Sequence, residues 1–193
     1  LDAQVKALRD RMAALREEEH LEDAALAPVA AQLGLSLAYL SATTPESVQL
    51  LKLFALLDPV EIPTYLLVRM ANGGEGEPEE WLSADARAAG VDRLEALGLI
   101  EPNLNHVEID RGLHGLLWQW FAGEIDLDEK GLLGLFKSKR GSLAVDADER
   151  EALAEWLVEF FHQRLRALIR EKAAWSEVSA YLPHAHAVLA RVE

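Results

Sequence analysis

The segment from Pro45 to Pro59 carries apolar residues on nearly every side of a helix, and this feature constrains the fold most strongly. Its apolar members are Val48, Leu50, Leu51, Phe54, Ala55 and Leu57. Thr44 followed by Pro45 is a typical helix start, and Asp58-Pro59 is a stop. A helix that is apolar all round is stable only when other elements cover it. We therefore predict a central, buried helix around which the neighbouring elements pack.

The elements after this helix follow the order of a winged-helix domain. They are predicted to be a helix from Ile62 to Met70 led by Pro63, a loop at 71–78, a helix from about Trp81 or Ser83 to Leu97, strands at 99–101 and 107–110, and an aromatic-rich helix from about Leu113 to Phe121. The order helix, helix, helix, strand, strand, helix between residues 46 and 121 is that of the winged-helix variant of the helix-turn-helix class.

The flanking regions are predicted to be helical. An apolar stripe at Leu1, Val5, Leu8, Met12 and Leu15 indicates one helix, and the segment from Leu26 to Leu40 indicates a second. Downstream, a long helix runs from Asp148 to about Lys172, followed by a helix pair at Trp175–Tyr181 and Pro183–Val192. The predicted division is a helical segment at 1–45, a winged helix at 46–121, a connector at 122–147 and helices at 148–193. The predicted fold class is thus mostly α with one short β-hairpin.

The charge balance disfavours nucleic acid as a partner. The chain has 19 Lys and Arg against 33 Asp and Glu, a net charge of −14, and such a field repels phosphate backbones and anionic lipids. It has no cysteine, which excludes disulfides and thiolate chemistry and favours the cytoplasm. No apolar run approaches the roughly 18 residues of a membrane span. We expect a soluble, cytoplasmic protein without a membrane partner.

Both ends predict that the chain is an excised piece of a longer protein. Position 1 is Leu rather than Met, and residues 187–193 continue an amphipathic helix without a capping signal. We therefore expect that any catalytic part lies outside this sequence.

Motifs that carry chemistry are missing or weak. The chain has no phosphate-binding loop, nucleophile elbow or His-Glu-x-x-His zinc motif, so we predict no enzymatic activity for it. Two Glu-x-x-His pairs, Glu17 with His20 and Glu159 with His162, have the spacing that di-iron helical bundles use. Such a site needs two further inward-facing Glu, and the two histidines of His184-x-His186 do not share a helical face. We predict no metal site.

Several apolar patterns resemble one protein family. Ser47 to Leu67, with its Asp58-Pro59 break and Pro-led helix, resembles the start of the winged-helix domain in STAND-class signal-transduction ATPases of NB-ARC or NACHT type. Residues 92–101 and 107–118 resemble the elements around the wing of that domain, and residues 24–57 resemble the small helical domain before it. The segment from Trp175 to Leu189 is similar to the opening of a tetratricopeptide-type array.

The resemblance implies a position for nucleotide sensing. In that family the wing strand leads into a Met-His-Asp type motif, whose His contacts the β-phosphate of bound ADP. The matching positions here are Ile109-Asp110-Arg111, so Asp110 replaces the His, and Arg111 or His114 would substitute for it in a shifted register. The residues by themselves indicate that Asp110 caps the helix starting near Arg111.

Three functional hypotheses follow. The first is a non-catalytic regulatory module of a STAND-like ATPase, which couples an upstream nucleotide switch to a downstream helical-repeat sensor. Its partners would be other domains of the parent and proteins bound by the repeats, and ATP or ADP would be a cofactor of the parent alone. The alternatives are a DNA-binding transcription regulator using Arg87, Arg93 and the 137–140 cluster, and a helical metalloenzyme. The residues predicted to form an interaction surface are Trp118, Trp120, Lys137, Lys139 and Arg140.

Overall fold

Helices dominate the part of the chain that the computed structural model describes, which comprises residues 27–67, 83–125, 127, 144–171 and 175–192. The helices are α1 (Ala27–Thr43), α2 (Pro45–Leu56), α3 (Ala84–Ala96), α4 (Arg111–Ala122), α5 (Ala147–Arg170) and α6 (Trp175–Val192). Three short strands, β1 (Ile62–Pro63), β2 (Glu101–Pro102) and β3 (His106–Glu108), form one antiparallel sheet in the order β1-β3-β2. A further helical segment begins at Thr64 and is described to residue 67.

Helix α2 is the central element, as predicted. Every residue from Ser47 to Leu56 except Gln49 is buried. Helices α1, α3, α4 and α6 all contact it. Because its apolar residues cover the whole circumference, a different neighbour covers each of its sides. The buried apolar residues of the described chain form one continuous cluster with α2 inside it.

The predicted hairpin is present, and the sheet has one strand more than expected. Glu101 faces Glu108 and Pro102 faces Val107 across β2 and β3. The prediction of a helix starting at Ile62 was wrong for its first two residues, because Ile62 and Pro63 form β1 and pair with β3. Ile62 is fully buried, so its backbone requires a hydrogen-bonding partner. Pro63 has no N–H to donate and is accommodated on an outer strand of this sheet.

Local signals set the ends of several helices. The Ser83 side chain accepts a hydrogen bond from the backbone N–H of Ala86 at 3.2 Å, which starts α3. Gly98, with φ of +66°, follows α3, in agreement with the predicted stop. Asp146 caps α5, and Gly123, with φ of +79°, ends α4. These contacts satisfy backbone groups that a helix end leaves without partners.

Helices α5 and α6 form an antiparallel pair. Arg164 donates to Glu177 at 2.8 Å, and the rings of Phe161 and Tyr181 meet edge to face with centroids 6.3 Å apart. Since residue numbers fall along α5 as they rise along α6 at these two contacts, the chain directions are opposite. Tyr181 also contacts Tyr65, so α6 packs on both α5 and the segment after β1.

The prediction of two C-terminal helices separated at Pro183 was wrong. Helix α6 continues without interruption from Trp175 to Val192, with Pro183 inside it. A proline within a helix costs about 3 kcal/mol relative to alanine. Here Val178 and Tyr181 before the proline and Ala185 and Val188 after it are all buried. Packing along this single face offsets the cost, so the helix continues through Pro183.

Several predicted features lie outside the described residues. They are the N-terminal helix with its stripe at Leu1 to Leu15, the Glu17–His20 pair, the loop at 71–78 and the basic cluster Lys137, Lys139 and Arg140. Within the described ranges, no helix combines the length and apolar character needed to cross a membrane.

Candidate functional site at the end of helix α2

Asp110 is the N-cap of α4. One of its carboxylate oxygens accepts hydrogen bonds from the backbone N–H groups of Gly112 at 2.9 Å and Leu113 at 3.0 Å. Both donors are unpaired groups of a helix start, so the interpretation of Asp110 as a cap is confirmed. Asp110 lines an open groove of about 480 Å³ at the base of the hairpin, together with Glu101 and Glu108. The negative charges of these three residues oppose the binding of a phosphate.

Arg111 and His114 do not converge with Asp110 on one site. Arg111 is exposed in the first turn of α4. His114, one turn later, is buried with only 5% of its surface exposed. The three residues proposed from the resemblance for nucleotide sensing therefore lie in different environments. Direct contact between His114 and a ligand would require α4 to move away from α2.

His114 binds the carbonyl end of α2. Its Nε2 lies 3.2 Å from the backbone oxygen of Phe54 and 3.0 Å from that of Leu57. Carbonyl oxygens only accept hydrogen bonds, so Nε2 carries a proton and donates to both. Burial lowers the pKa of His114, and the nearby Arg191 lowers it further, while the two carbonyls and Asp58 oppose the shift. The imidazole is thus held in its neutral form with the proton on Nε2.

Arg191 from α6 reaches the same carbonyl. Its Nη1 donates to the backbone oxygen of Leu57 at 2.9 Å, and its guanidinium lies 5.1 Å from the ring centre of Trp118. Burial lowers the pKa of Arg191, and the charge of Asp58 opposes that change. A cation at the C-terminal end of a helix stabilises the last carbonyls and the helix dipole. Helices α4 and α6 are therefore both bound to the end of α2 through ionisable side chains.

His184 completes this cluster from about two turns before Arg191 along α6. Only 1% of its surface is exposed, and its Nδ1 is buried without a hydrogen-bond partner among the described residues. Burial lowers the pKa of His184, while the Asp58 charge and the backbone carbonyls of Glu61 and Asp58 oppose the shift. Glu61 has a φ of +52°, a conformation that costs a non-glycine residue about 1 to 2 kcal/mol. We name the group formed by Leu57, Asp58, His114, His184 and Arg191 the Leu57 joint.

The two tryptophans predicted for interaction have different positions in α4. Trp120 is fully buried in the core. Trp118 is partly exposed, with its ring centre 6.2 Å from that of Phe121 in a tilted arrangement and its ring against the Arg191 guanidinium. Trp118 therefore connects the Leu57 joint to the surface, whereas Trp120 lies in the core. Their basic companions Lys137, Lys139 and Arg140 lie outside the described residues.

An open groove lies beside the joint, between α4, α5 and the end of α6. Its volume is about 450 Å³, and Trp118 and Arg191 of the joint region line it. Leu56 and Phe121 contribute buried apolar surface. Glu151 and Glu155 of α5 lie at its edge. The groove and the joint share Arg191, so a molecule in the groove would contact the residue that binds α6 to the Leu57 carbonyl.

Metal-ligating groups do not cluster in the described ranges. Glu159 and His162 are exposed on α5, with Oε2 and Nδ1 3.9 Å apart, and Gln163 also binds Glu159. His186 is exposed whereas His184 is buried, so the two do not form a pair.

Sequence reasoning did not identify Arg191 or the role of His184. A signal was present, because Tyr181, His184, Val188 and Arg191 follow the spacing of one helical face. Polar side chains on an otherwise apolar face indicate buried hydrogen bonds. The expected helix break at Pro183 concealed this continuous face.

Arg87 and Arg93, which the DNA-binding hypothesis invokes, both lie on α3. The Arg93 guanidinium lies 5.8 Å from the centre of the Tyr39 ring of α1. Asp85, Asp92 and Glu95 are exposed on the same helix. The surface of α3 therefore keeps the mixed charge seen in the sequence.

The arrangement as a whole links three elements without bringing a nucleophile and a base together. Its chemistry consists of hydrogen bonds from ionisable side chains to carbonyls of α2. Comparisons with known proteins give no further guidance, because no family model, curated protein or solved structure matches the chain.

Proposed function

We propose that this chain is a non-catalytic regulatory and interaction module of a larger STAND-like signalling ATPase. In this proposal residues 46–121 form a winged-helix domain, and α5 with α6 begins a tetratricopeptide-like array. The module couples an upstream nucleotide switch to a downstream helical sensor by transmitting changes in packing. ATP or ADP would bind the parent protein rather than this module, and nucleotide sensing by Asp110, Arg111 and His114 stays a prediction.

Two features of the fold support these assignments. The described elements between residues 46 and 121 follow the order helix, helix, helix, hairpin, helix that the sequence predicts for a winged helix, and strand β1 adds a third strand that pairs with β3. Antiparallel helix pairs such as α5 and α6 are the building units of helical repeat arrays.

The Leu57 joint is the observation that carries the proposal. Side chains from α4 and α6 both bind the carbonyl of Leu57, although they belong to the proposed winged helix and the proposed repeat respectively. A displacement of α6 would remove the Arg191 hydrogen bond and the Trp118 contact together. Two packing arrangements that differ by a few kcal/mol suffice for a switch, because a ligand with a matching difference in affinity reverses their populations.

The coupling can be tested on this chain by hydrogen exchange. Arg191→Met retains the length of the side chain and removes the donor to Leu57. We expect faster amide exchange in α6 and also in the last turn of α2 and the facing part of α4. Arg170→Met, at an exposed position in the last turn of α5, is the matched control and should leave all three unchanged. Faster exchange confined to α6 would contradict the proposed coupling.

The regulatory role requires the parent protein. Removal of residues 123–193 from the parent should change how its nucleotide hydrolysis is regulated. Unchanged regulation would overturn the proposal. The alternative, DNA binding by a winged helix, predicts retention of duplex DNA at low salt, and the net charge of −14 opposes that result.

A further inference from the structure

Apolar and charged side chains together line the groove between α4, α5 and the end of α6. Leu56 and Phe121 expose 1% and 2% of their surfaces, and Ala154 exposes 9%. Together with the partly exposed Trp118 they line a space of about 450 Å³. Protein sites for small molecules or for anchoring side chains have volumes of about 300 to 1,000 Å³. The space is therefore large enough for one bulky apolar side chain of a partner.

Both arginines that line this groove are engaged by the chain itself. Arg150 Nη1 donates to the backbone oxygens of Phe121 and Val145, each at 3.4 Å. Arg191 donates to Leu57 and lies against Trp118. Each guanidinium is thereby held by backbone carbonyls or an aromatic ring, and these contacts orient it against the wall of the groove.

The acidic residues at the rim are different. Glu151 and Glu155 are exposed on α5 and have no hydrogen bond or ion pair to another described residue. They lie four residues apart, so their like charges repel each other along the helix. Across residues 144–160 six acidic residues accompany one arginine. Within the part of the chain that the structure describes, the rim therefore offers unpaired negative charge beside this space.

We propose that this groove binds a basic amphipathic helix of a protein partner. One large apolar side chain of that helix occupies the space over Leu56 and Phe121, and Lys or Arg residues four positions apart pair with Glu151 and Glu155. This arrangement is the helix-in-groove mode of peptide recognition, with charge complementarity selecting the partner. The inference rests on the proposed function in one respect, because it names a partner class for an interaction module.

Binding of a helix here would influence the joint. The groove is lined by Arg191 of the joint and by Trp118, against which Arg191 lies, so an occupant contacts the side chain that binds α6 to the end of α2. Occupancy therefore favours whichever packing of α6 leaves the groove open to the partner.

The binding test uses the 193-residue chain and a fluorescent 18-residue peptide of Leu and Lys with an amphipathic helical pattern. A peptide of identical composition and scrambled order is the first control. We expect saturable, one-to-one binding of the patterned peptide in 150 mM salt and at least tenfold weaker binding of the scrambled one. Equal binding of both peptides would show attraction by net charge alone and would overturn the proposal.

Two pairs of variants locate the site. Glu151→Lys with Glu155→Lys should weaken binding about tenfold or more, since two ion pairs are lost and replaced by repulsion. Asp92→Lys with Glu95→Lys changes the net charge equally on the exposed face of α3 and should weaken binding less than twofold. Equal effects of the two double variants would overturn the proposal.

The second pair of variants tests whether the peptide occupies the space inside the groove. Ala147→Trp places a large ring at an exposed position that lines the groove, and it should block binding. Ala152→Trp, at an exposed position of α5 that does not line the groove, should leave binding unchanged. If Ala147→Trp has no effect, the peptide binds elsewhere and the inference fails.

The two proposals fail separately. None of the groove variants changes a residue of the Leu57 joint. If the patterned peptide does not bind but Arg191→Met still changes exchange in α2 and α4, the groove proposal is overturned and the coupling proposal stands.

A further variant tests whether the basic segment 137–140 of the chain itself occupies the groove. In this variant Lys137, Lys139 and Arg140 are changed to Ser. Peptide affinity raised tenfold or more in that chain would identify the native occupant as this segment and overturn a protein partner.

Discussion

The two ends of helix α2 are held by different physical means. Near its start, Ser47 Oγ donates to the backbone oxygen of Gly90 at 3.3 Å, so α2 and α3 approach closely. A Cβ added at Gly90 would lie 2.6 Å from Cδ1 of Leu50. Near its end, the carbonyls of Phe54 and Leu57 accept hydrogen bonds from His114 and Arg191. The start depends on shape, and the end depends on ionisable groups.

This difference separates a fixed contact from an adjustable one. Close packing of two helices does not respond to pH or salt, whereas histidine hydrogen bonds change with protonation. The end of α2 is also where the proposed winged helix meets the C-terminal helix pair. The adjustable contact is thus located at the boundary across which a regulatory module would transmit a change.

The largest expected effect is at the fixed end. Gly90→Val places two methyl groups and a Cβ against Leu50 and should lower the free energy of unfolding by about 2 to 3 kcal/mol. Urea denaturation measures this change in the free energy of unfolding. Gly115→Val is the matched control, because no atom lies within 4 Å of a Cβ added there, and it should cost nothing. Equal losses at both sites would contradict the close contact.

At the adjustable end, His114→Phe removes the donor to two buried carbonyls. We expect a loss of about 1 to 3 kcal/mol in the free energy of unfolding at pH 7.5, since unpaired buried acceptors are costly. His114→Gln supplies an amide donor at a similar reach and should recover a large part of that loss. If glutamine is no better than phenylalanine, packing rather than hydrogen bonding holds α4 here.

The pH dependence of stability distinguishes the two ends directly. Burial lowers the pKa values of His114 and His184 below their ordinary value of 6.5, so the unfolded chain binds protons before the folded chain does. Stability is therefore complete above about pH 6.5 and decreases as the pH falls below it. Urea denaturation between pH 7.5 and 5.0 should show this decrease in the wild type and in Gly90→Val alike.

In His114→Gln the free energy of unfolding should decrease less steeply between pH 7.5 and 5.0 than in the wild type. In the double variant with His184→Gln it should decrease less steeply again. Carboxylates titrate mainly below this range and contribute little to it. An unchanged slope in the double variant would place the proton-sensitive groups outside the joint.

The smallest effect concerns the middle of α2. Lys52 forms a 2.6 Å ion pair with Glu149 of α5, and the glutamate side chain is 39% exposed. Solvent screens such a pair, so Lys52→Met should cost no more than about 1 kcal/mol. The difference from wild type should shrink further in 0.5 M salt. A larger, salt-independent loss would show that α5 is held to α2 as firmly as α6 is.

Much of the helical framework was predictable, because the signals are local. The apolar circumference of α2 predicted its burial, and Asp110 and Gly98 predicted a helix start and a helix end from single residues. Strand β1 was not predictable in the same way. Ile62-Pro63 resembles a helix start on its own, and only Val107 and His106, more than forty residues later, provide the strand with its partner.

The candidate site likewise depends on contacts that the local sequence does not predict. The resemblance to a nucleotide-sensing motif predicts a ligand contact for His114, whereas the structure buries His114 against backbone carbonyls at the end of α2. In the sequence Arg191 is an ordinary charged residue of an amphipathic helix, with no local signal of its contact with Leu57. Neither role is visible in the residues that flank these positions.

The sequence by itself determined the positions and ends of most helices, since capping, breaking and apolar periodicity act between residues about four positions apart. Only the tertiary structure decided that α6 continues through Pro183 and that the Leu57 carbonyl receives two donors. Those donors lie 57 and 134 positions further along the chain. Contacts at such separations depend on how whole helices pack, because burial of a shared face outweighs a local preference of about 3 kcal/mol.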